Sequence, residues 1–339
     1  MRLRRSDLTR PGYGRRRYGK GFRYLDEAGR PLTDEAELAR LRALVTPPAW
    51  KDVWFSPDPR GHIQAVGTDA AGRRQYQYHD AWRAKRDSAK FDHVLEVAAR
   101  LPKIRRAVKR HLGQESLSRN RVLAAAVRLL DLGVFRVGGD EYAREDSPNG
   151  ETFGLTTLRR DHVSVSGTTM CFRYPAKGGI ERAVELTDKA VAPVVRALLR
   201  RRERGERVLA FRDGRRWREV RGPELNEYLR EISGCDVTAK DFRTWHATVL
   251  AVLTLASAGP PPGSEAGRRR AVAGAMRTVA EYVGNTPTVT RASYVDPRVL
   301  DLYRSGSLGE LNPRAARGGG EAGGTASAVT ERAVLDLLA

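Results

Sequence analysis

Val122-Leu-Ala-Ala-Ala-Val-Arg-Leu-Leu130 is apolar on nearly every side, interrupted only by Arg128. A helix with one apolar stripe lies on a surface, whereas one that is apolar all round has to be surrounded. The run therefore predicts a helix over 118–132 at the centre of a helical core. Toward the N-terminus, Asp92 to Leu101 and Lys103 to Leu112 show the same helical spacing, with Pro102 between them. Toward the C-terminus, helices are expected from Asp188 (as cap) to Leu199, from Leu225 to Ile232, from a Thr238 or Asp241 cap to Leu255, and from Arg268 to Val283. Pro148-Asn149-Gly150 reads as a turn, and Gly154 to Val163 as a short helix running into a strand. Val163–Ser166 with Met170–Tyr174 makes a hairpin, and 208–220 reads as strand, turn, strand.

Before residue 80 the pattern changes from period 3.6 to period 2. Asp34 to Val45 predicts one short helix, with Leu38, Leu41 and Leu44 on one side and Pro47-Pro48 ending it. Val53-Trp-Phe55, His62-Ile-Gln-Ala-Val66 and Arg74-Gln-Tyr-Gln-Tyr78 follow as strands, the last two separated by the loop Gly67–Gly72. Two readings stand for Tyr76 and Tyr78. They are half-buried sheet residues, or they belong to a small sheet laid on a groove, with Gln and Tyr at base edges and phosphates. The composition turns charged from Asp80 to His93, which places a boundary near residue 87. The fold class expected is α+β: a β-rich domain over 1–86, a larger, mainly helical domain with a small antiparallel sheet over 87–312, and a Gly/Ala-rich flexible tail over 313–339 with a short terminal helix.

The formal charge of +20, from 61 Lys and Arg, points to a polyanionic partner rather than to a folding requirement. Residues 1–24 concentrate this charge, with nine Arg/Lys against Asp7 and aromatics at Tyr13, Tyr18, Phe22 and Tyr24. Glycines at 12, 14, 19 and 21 disfavour a helix there, so a flexible basic arm is expected. Gly14-Arg-Arg-Arg-Tyr-Gly19-Lys20 approaches a phosphate-binding loop, but Gly21 stands where a magnesium-holding Ser/Thr is needed and no buried strand precedes it. No nucleotide site is expected. Cys171 and Cys235 have no metal-ligand spacing, so free thiols and no metal are expected. No run of about eighteen apolar residues occurs, so no membrane partner is expected.

Glu281-Tyr-Val-Gly-Asn-Thr-Pro-Thr-Val-Thr-Arg-Ala-Ser-Tyr294 ends the helical region. It reads as a helix stopping at Gly284, an extended Thr/Val/Pro segment, and Tyr294 on an irregular or newly started helical segment. Arg136 sits where the helix over 118–132 gives way to a turn, and Lys177 on the tip Pro175-Ala-Lys-Gly-Gly179. Arg243 falls in the first turns of its helix, where helix dipoles favour an anion. Read singly, Arg136 is a structural ion-pair member, Lys177 a solvated tip and Tyr294 one of 11 tyrosines.

Together, the ordered set Arg136, Lys177, Arg243, Asn285, Tyr294 resembles the type IB DNA topoisomerases, in the compact poxvirus-like form found in bacteria. The surroundings Phe-Arg-Val-Gly, Ala-Lys-Gly-Gly, Lys-Asp-Phe-Arg-Thr-Trp and Gly-Asn-Thr-Pro carry the resemblance, as do Thr-Pro-Pro-Ala-Trp, Gly-His-Ile-Gln-Ala and Arg-Gln-Tyr-Gln-Tyr nearer the N-terminus. It runs from about residue 20 to 310.

The resemblance implies the fold of the DNA breaking-rejoining enzymes and a tyrosine that attacks a phosphodiester, leaving a 3′-phosphotyrosyl link and a free 5′-hydroxyl. It makes Tyr294 the nucleophile, Arg136 and Arg243 the ligands of the non-bridging oxygens, and Lys177 the general acid. Asn285 takes a place where histidine is common in the family. It further implies DNA contacts by Gln75, Tyr76, Tyr78, Tyr142 and Lys240. Gly139 stands where the poxvirus type has a basic contact, so the resemblance does not carry a poxvirus-like cleavage-site preference over to this chain.

The partner implied is double-stranded DNA, met by a monomer in the cytoplasm at the nucleoid, with no nucleotide, metal or other cofactor. The chemistry asks for the same residue types. Negative charge gathers on the phosphoryl group, and arginine's planar fork donates to it in pairs. An alkoxide leaves poorly without an acid, and Asn285 can donate a hydrogen bond but not a proton.

Two other readings compete. A tyrosine recombinase shares this core but usually has histidine three residues before the second arginine, where this chain has Lys240. A non-catalytic basic DNA-binding protein accounts for the charge but leaves the ordered five residues a coincidence.

Overall fold

The computed structural model describes residues 2–133, 135–144, 150–202, 205–310 and 326–339. The chain divides into two units, Met1–Phe91 and Asp92–Ala339.

In the first unit, β1 (Tyr13–Tyr18), β2 (Gly21–Leu25), β3 (Lys51–Phe55), β4 (Ile63–Thr68) and β5 (Arg74–Tyr78) form one antiparallel sheet in the order β2-β1-β3-β4-β5. Leu41 from α1 (Glu35–Ala43) packs with Val53, Phe55 and Ala65 to form its core. Asp34 caps α1 by accepting from the amides of Ala36 and Glu37, which satisfies two donors the helix cannot pair itself.

The basic arm is a hairpin, not a flexible segment. β1 pairs with both β2 and β3, and Gly19, at φ 55°, makes the turn with Lys20. The glycines that disfavour a helix are compatible with this ladder. Arg15 over Phe22 (4.2 Å) and Arg23 over Tyr18 (3.9 Å) add cation–π contacts.

The boundary between the units falls inside α2 (Asp80–Leu112), one helix where two were expected. Pro102 removes one backbone donor but does not end it. Val94, Val97, Ala98 and Leu101 before it, and Ile104, Val108 and Leu112 after it, are all buried in the same core. Burial of both flanking turns outweighs the lost bond.

α3 (Arg119–Gly133) is central, as its composition requires: Val122 to Val127 are essentially inaccessible. Around it pack α4 (Ala192–Leu199), α5 (Gly222–Ser233), α6 (Ala239–Ser257), β8 (Glu181–Thr187) and β9 (Ala210–Asp213). β6 (Val163–Ser166), β7 (Thr169–Pro175) and β8 form an antiparallel sheet in that order, and β9 pairs with β10 (Arg216–Glu219). Asp188 accepts from the amides of Ala190 and Val191 and so turns the chain just ahead of α4, which starts later than expected.

α7 (Glu265–Val283) ends at Gly284 (φ 63°). The segment beyond it is not extended. Thr286 accepts from the amide of Val289, Pro287 occupies the first turn, and α8 (Pro287–Ser293) forms, followed by α9 (Pro297–Ser305). A capping threonine followed by proline is a helix start, and it overrides the β-branched run behind it. The expected fold class, α+β with a small N-terminal sheet and a mainly helical remainder, is what the chain adopts.

The short terminal helix expected at the far end of the tail is present. Ala328–Leu338 is a helix with Thr330, Val334 and Leu338 buried. Arg105 of α2 donates to both oxygens of Asp131 (2.9 and 2.8 Å) and both of Glu331 (2.5 and 3.0 Å). One guanidinium thus joins α2, α3 and the terminal helix. Much of the Gly/Ala-rich stretch, like Pro148-Asn149, lies outside the described residues.

Burial alone pushes the Asp131 carboxyl up. Contacts to His246, whose Nε2 is 3.3 Å away, and to Arg105 outweigh it and hold the carboxyl well below the usual carboxylate range. Its stabilisation is complete above the ordinary unfolded value of about 4 and is lost as pH falls from there toward the lower folded value. Urea unfolding should therefore show stability declining below about pH 4. At neutral pH, Asp131→Ala should cost about 1–3 kcal/mol, because it removes one of the two carboxylates that Arg105 pairs with and the carboxylate that buried His246 faces.

Candidate active site

α6 opens on a reciprocal cap: the amide and hydroxyl of Thr238 both donate to Asp241 Oδ2 at 2.8 Å. Beyond the cap the helix is buried on every side from Asp241 to Val249, so Arg243 lies within the core, where it is only 4% exposed. Arg243 Nη2 donates to the carbonyl of Val283 (2.6 Å), at the end of α7. Its guanidinium lies 5.3 Å from the centre of the Tyr294 ring.

The backbone of Tyr294 is held from two sides. Its amide donates to the carbonyl of Thr290, closing α8. Its carbonyl accepts from Thr248 Oγ1 (3.3 Å), which in turn accepts from the amide of Asp296. Asp296 caps α9 through the amide of Arg298. α6 therefore supplies both the arginine beside the ring and the threonine that fixes the backbone.

Arg136 Nη2 donates to the carbonyl of Gly284 (3.0 Å) and to Asn285 Oδ1 (2.5 Å). A guanidinium has no acceptor, so the Asn285 oxygen has to face it. The Asn285 Nδ2 group is then turned the other way, where it is buried with no hydrogen-bond partner among the described residues. A buried amide donor without a partner costs free energy and is well placed for an acceptor brought by a ligand.

Electrostatics single out Tyr294. Burial alone pushes its hydroxyl up, but Arg243, Arg136 and Lys240, with a hydrogen bond from Arg243, outweigh it and bring it below the ordinary tyrosine value. Burial, reinforced by Arg136, brings Arg243 down to about 10, so it remains charged at neutral pH. Such mutual perturbation of titrating groups is characteristic of functional sites.

The structure thus brings Arg136, Arg243, Asn285 and Tyr294 together, with the charge of Lys240 in range. Lys177 stands apart. It is exposed on the tip between β7 and β8, where Gly178 and Gly179 have φ of 86° and 73°, and no contact joins it to Tyr294 among the described residues.

The residues expected at DNA are exposed to different degrees. Tyr142 is on the surface of the turn Asp140–Tyr142, and Lys240 is exposed at the start of α6. Tyr76 and Tyr78 are exposed rather than half-buried, with rings stacked at 6.2 Å and Arg74 over Tyr76. Gln75 lies on the other face of the strand, its amide donating to Asp69 (2.9 Å). Period-2 alternation separates it from the tyrosines, so one groove does not meet both from the same side.

Sequence reading missed Arg182 and Thr248. Arg182 Nη2 donates to the carbonyl of Tyr282 (2.8 Å). The signal was its register: in β8 it shares the inward side with Val184 and Leu186, an unusual place for an arginine. Thr248 carried no signal, because its role depends on where Tyr294 and Asp296 come to lie.

Residues 79–304 match the family described as eukaryotic DNA topoisomerase I, catalytic core. Residues 21–69 match the N-terminal domain of bacterial DNA topoisomerase IB. The DNA topoisomerase 1B of Acanthamoeba polyphaga mimivirus is 28% identical over 291 residues, covering 84% of each chain. That of Vaccinia virus (strain Copenhagen) is 22% identical over 250 residues, covering 70% of this chain and 72% of its own. The catalytic-core match spans well over half of the chain and contains Arg136, Lys177, Arg243, Asn285 and Tyr294, and the chain therefore belongs to the type IB DNA topoisomerases, enzymes that act on DNA.

Proposed function

We propose that the protein relaxes supercoiled duplex DNA by cutting one strand through a transient 3′-phosphotyrosyl link at Tyr294 and resealing it. The observation that carries this reading is the Arg243 guanidinium 5.3 Å from the centre of the Tyr294 ring with Arg136 held on Asn285 nearby, cations that lower the Tyr294 hydroxyl. A free tyrosine titrates near 10, and neighbouring cations favour the tyrosinate that attacks phosphorus.

In this reaction the Tyr294 oxygen forms a bond to phosphorus as the bond to the 5′-oxygen breaks. Arg136 and Arg243 donate to the non-bridging oxygens, where charge accumulates. Asn285 offers the amide donor that has no partner in the described residues. Lys177 protonates the departing 5′-oxygen. To reach it, the β7–β8 tip moves toward the phosphate, and the two glycines after Lys177 give that tip its freedom. Resealing is the reverse attack by the 5′-hydroxyl. The energy of the broken bond is kept in the phosphotyrosine, so neither ATP nor metal is needed.

Tyr76, Tyr78 and Arg74 offer an exposed aromatic and cationic face to the duplex, and Tyr142 and Lys240 flank the reacting phosphate. Gln75 contributes only if DNA draws it from Asp69. The enzyme works as a monomer at the nucleoid.

Supercoiled plasmid incubated with the protein in EDTA without ATP should relax, and Tyr294→Phe should abolish relaxation. No relaxation by the wild type, or relaxation by the variant, overturns the proposal. Lys177→Ala should slow cleavage by about 10²–10⁴-fold, and a substrate with a 5′-bridging sulfur, which leaves without a proton, should restore the rate. Persistence of the defect with sulfur removes Lys177 as the acid. The cleavage rate should rise with pH through an apparent value below 10, and Arg243→Ala should move that limb upward, since it removes the largest of the cationic contributions that outweigh burial.

A further inference from the structure

Three guanidiniums meet the same helix end. Arg182 donates to the carbonyl of Tyr282 (2.8 Å), Arg243 to that of Val283 (2.6 Å) and Arg136 to that of Gly284 (3.0 Å). These carbonyls are consecutive. They close α7, where the helical ladder leaves acceptors unpaired and the peptide dipoles sum to a partial negative charge. The same three arginines act together on Tyr174: burial pushes its hydroxyl up, and Arg182, Arg243 and Arg136 offset part of that rise.

Arg136 and Arg243 have work at the substrate phosphate. Arg182 has none in that chemistry, yet its place is built. Gly284 takes a left-handed φ of 63°, and a Cβ there would lie 2.3 Å from Arg182 Nη1. Arg182 also joins the β7–β8 hairpin, which carries Lys177 at its tip, to the end of α7, which leads into Asn285.

A hydrogen bond to an anionic phosphate oxygen is roughly twice as strong as one to a neutral carbonyl. Arg136 and Arg243 meet these acceptors through Nη2, and each guanidinium has further N–H groups to turn toward a phosphate, which loosens its hold on the helix end. Of the three side-chain bonds to this helix end, the one from Arg182 to Tyr282 is made by a group with no phosphate to meet.

We propose that Arg182 is a positioning residue of the transesterification, holding the end of α7 so that the Asn285 amide stays aimed at the phosphate as the other two arginines engage it. The proposal rests on the Tyr294 chemistry given above.

The test is single-turnover formation of the covalent complex on duplex DNA. Arg182→Ala should slow it by about 10–100-fold, the scale of a small misplacement of reacting groups, with DNA affinity unchanged. In an Asn285→Ala background, Arg182→Ala should add little further loss, because it acts through Asn285. Arg182→Lys, which keeps the charge without the planar fork, should give an intermediate rate, and it carries the test if the alanine variant does not fold. A wild-type rate for Arg182→Ala, a full multiplicative loss on top of Asn285→Ala, or a loss of affinity that accounts for the slowing each overturns the proposal. Tyr294→Phe run in parallel separates the two readings: a covalent complex from that variant refutes the assignment of the nucleophile, not the role of Arg182.

Discussion

A buried guanidinium needs acceptors, and the end of a helix has them to spare. That pairing of needs underlies the whole site. Arg243 sits among Phe242, Trp245 and the rest of the core with almost no access to water, and the carbonyl of Val283 accepts from it. Because Arg136 and Arg182 use the neighbouring carbonyls, the end of α7 acts as a counter-charge for three cations that would otherwise repel one another. A site arranged this way holds its arginines in place before any phosphate arrives, so little ordering remains to be done when it does.

The second constraint lies behind the first. Arg243 and His246 are three residues apart on α6, and His246 faces Asp131, which Arg105 ties to Glu331 in the terminal helix. The helix that presents the arginine beside Tyr294 is thus backed by a buried polar network reaching to the last residues of the chain. Such networks add little net stability compared with an apolar core, but they tolerate few alternative arrangements. Here that rigidity falls on the element whose phase decides where Arg243 and Thr248 point.

Much of this was legible from residue order. The all-round apolar run at Val122–Leu130 required a central helix, and one was found; the α+β class followed from the change of period near residue 80. Where the reading went wrong, nonlocal packing had overridden local preference. Glycines in the basic arm argued against a helix but could not announce a hairpin, because β1 is held partly by β3, more than thirty residues away. Pro102 looked like a helix end, yet burial of the turns on both sides carries α2 through it. The short terminal helix was expected, but nothing in its Gly/Ala-rich approach announced the pairing of Glu331 with Arg105.

By itself the sequence determined the residue types the chemistry needs, their order, and the helices and strands on which they ride, because period, caps and turn residues are local properties. Tertiary structure alone decided which of them meet. It placed Arg136, Arg243, Asn285 and Tyr294 together, left Lys177 on an outlying tip, and brought in Arg182 and Thr248. The reason is physical: a hydrogen bond between residues 40 to 149 positions apart depends on how helices pack, and packing is settled by the whole core at once rather than by any one stretch of chain.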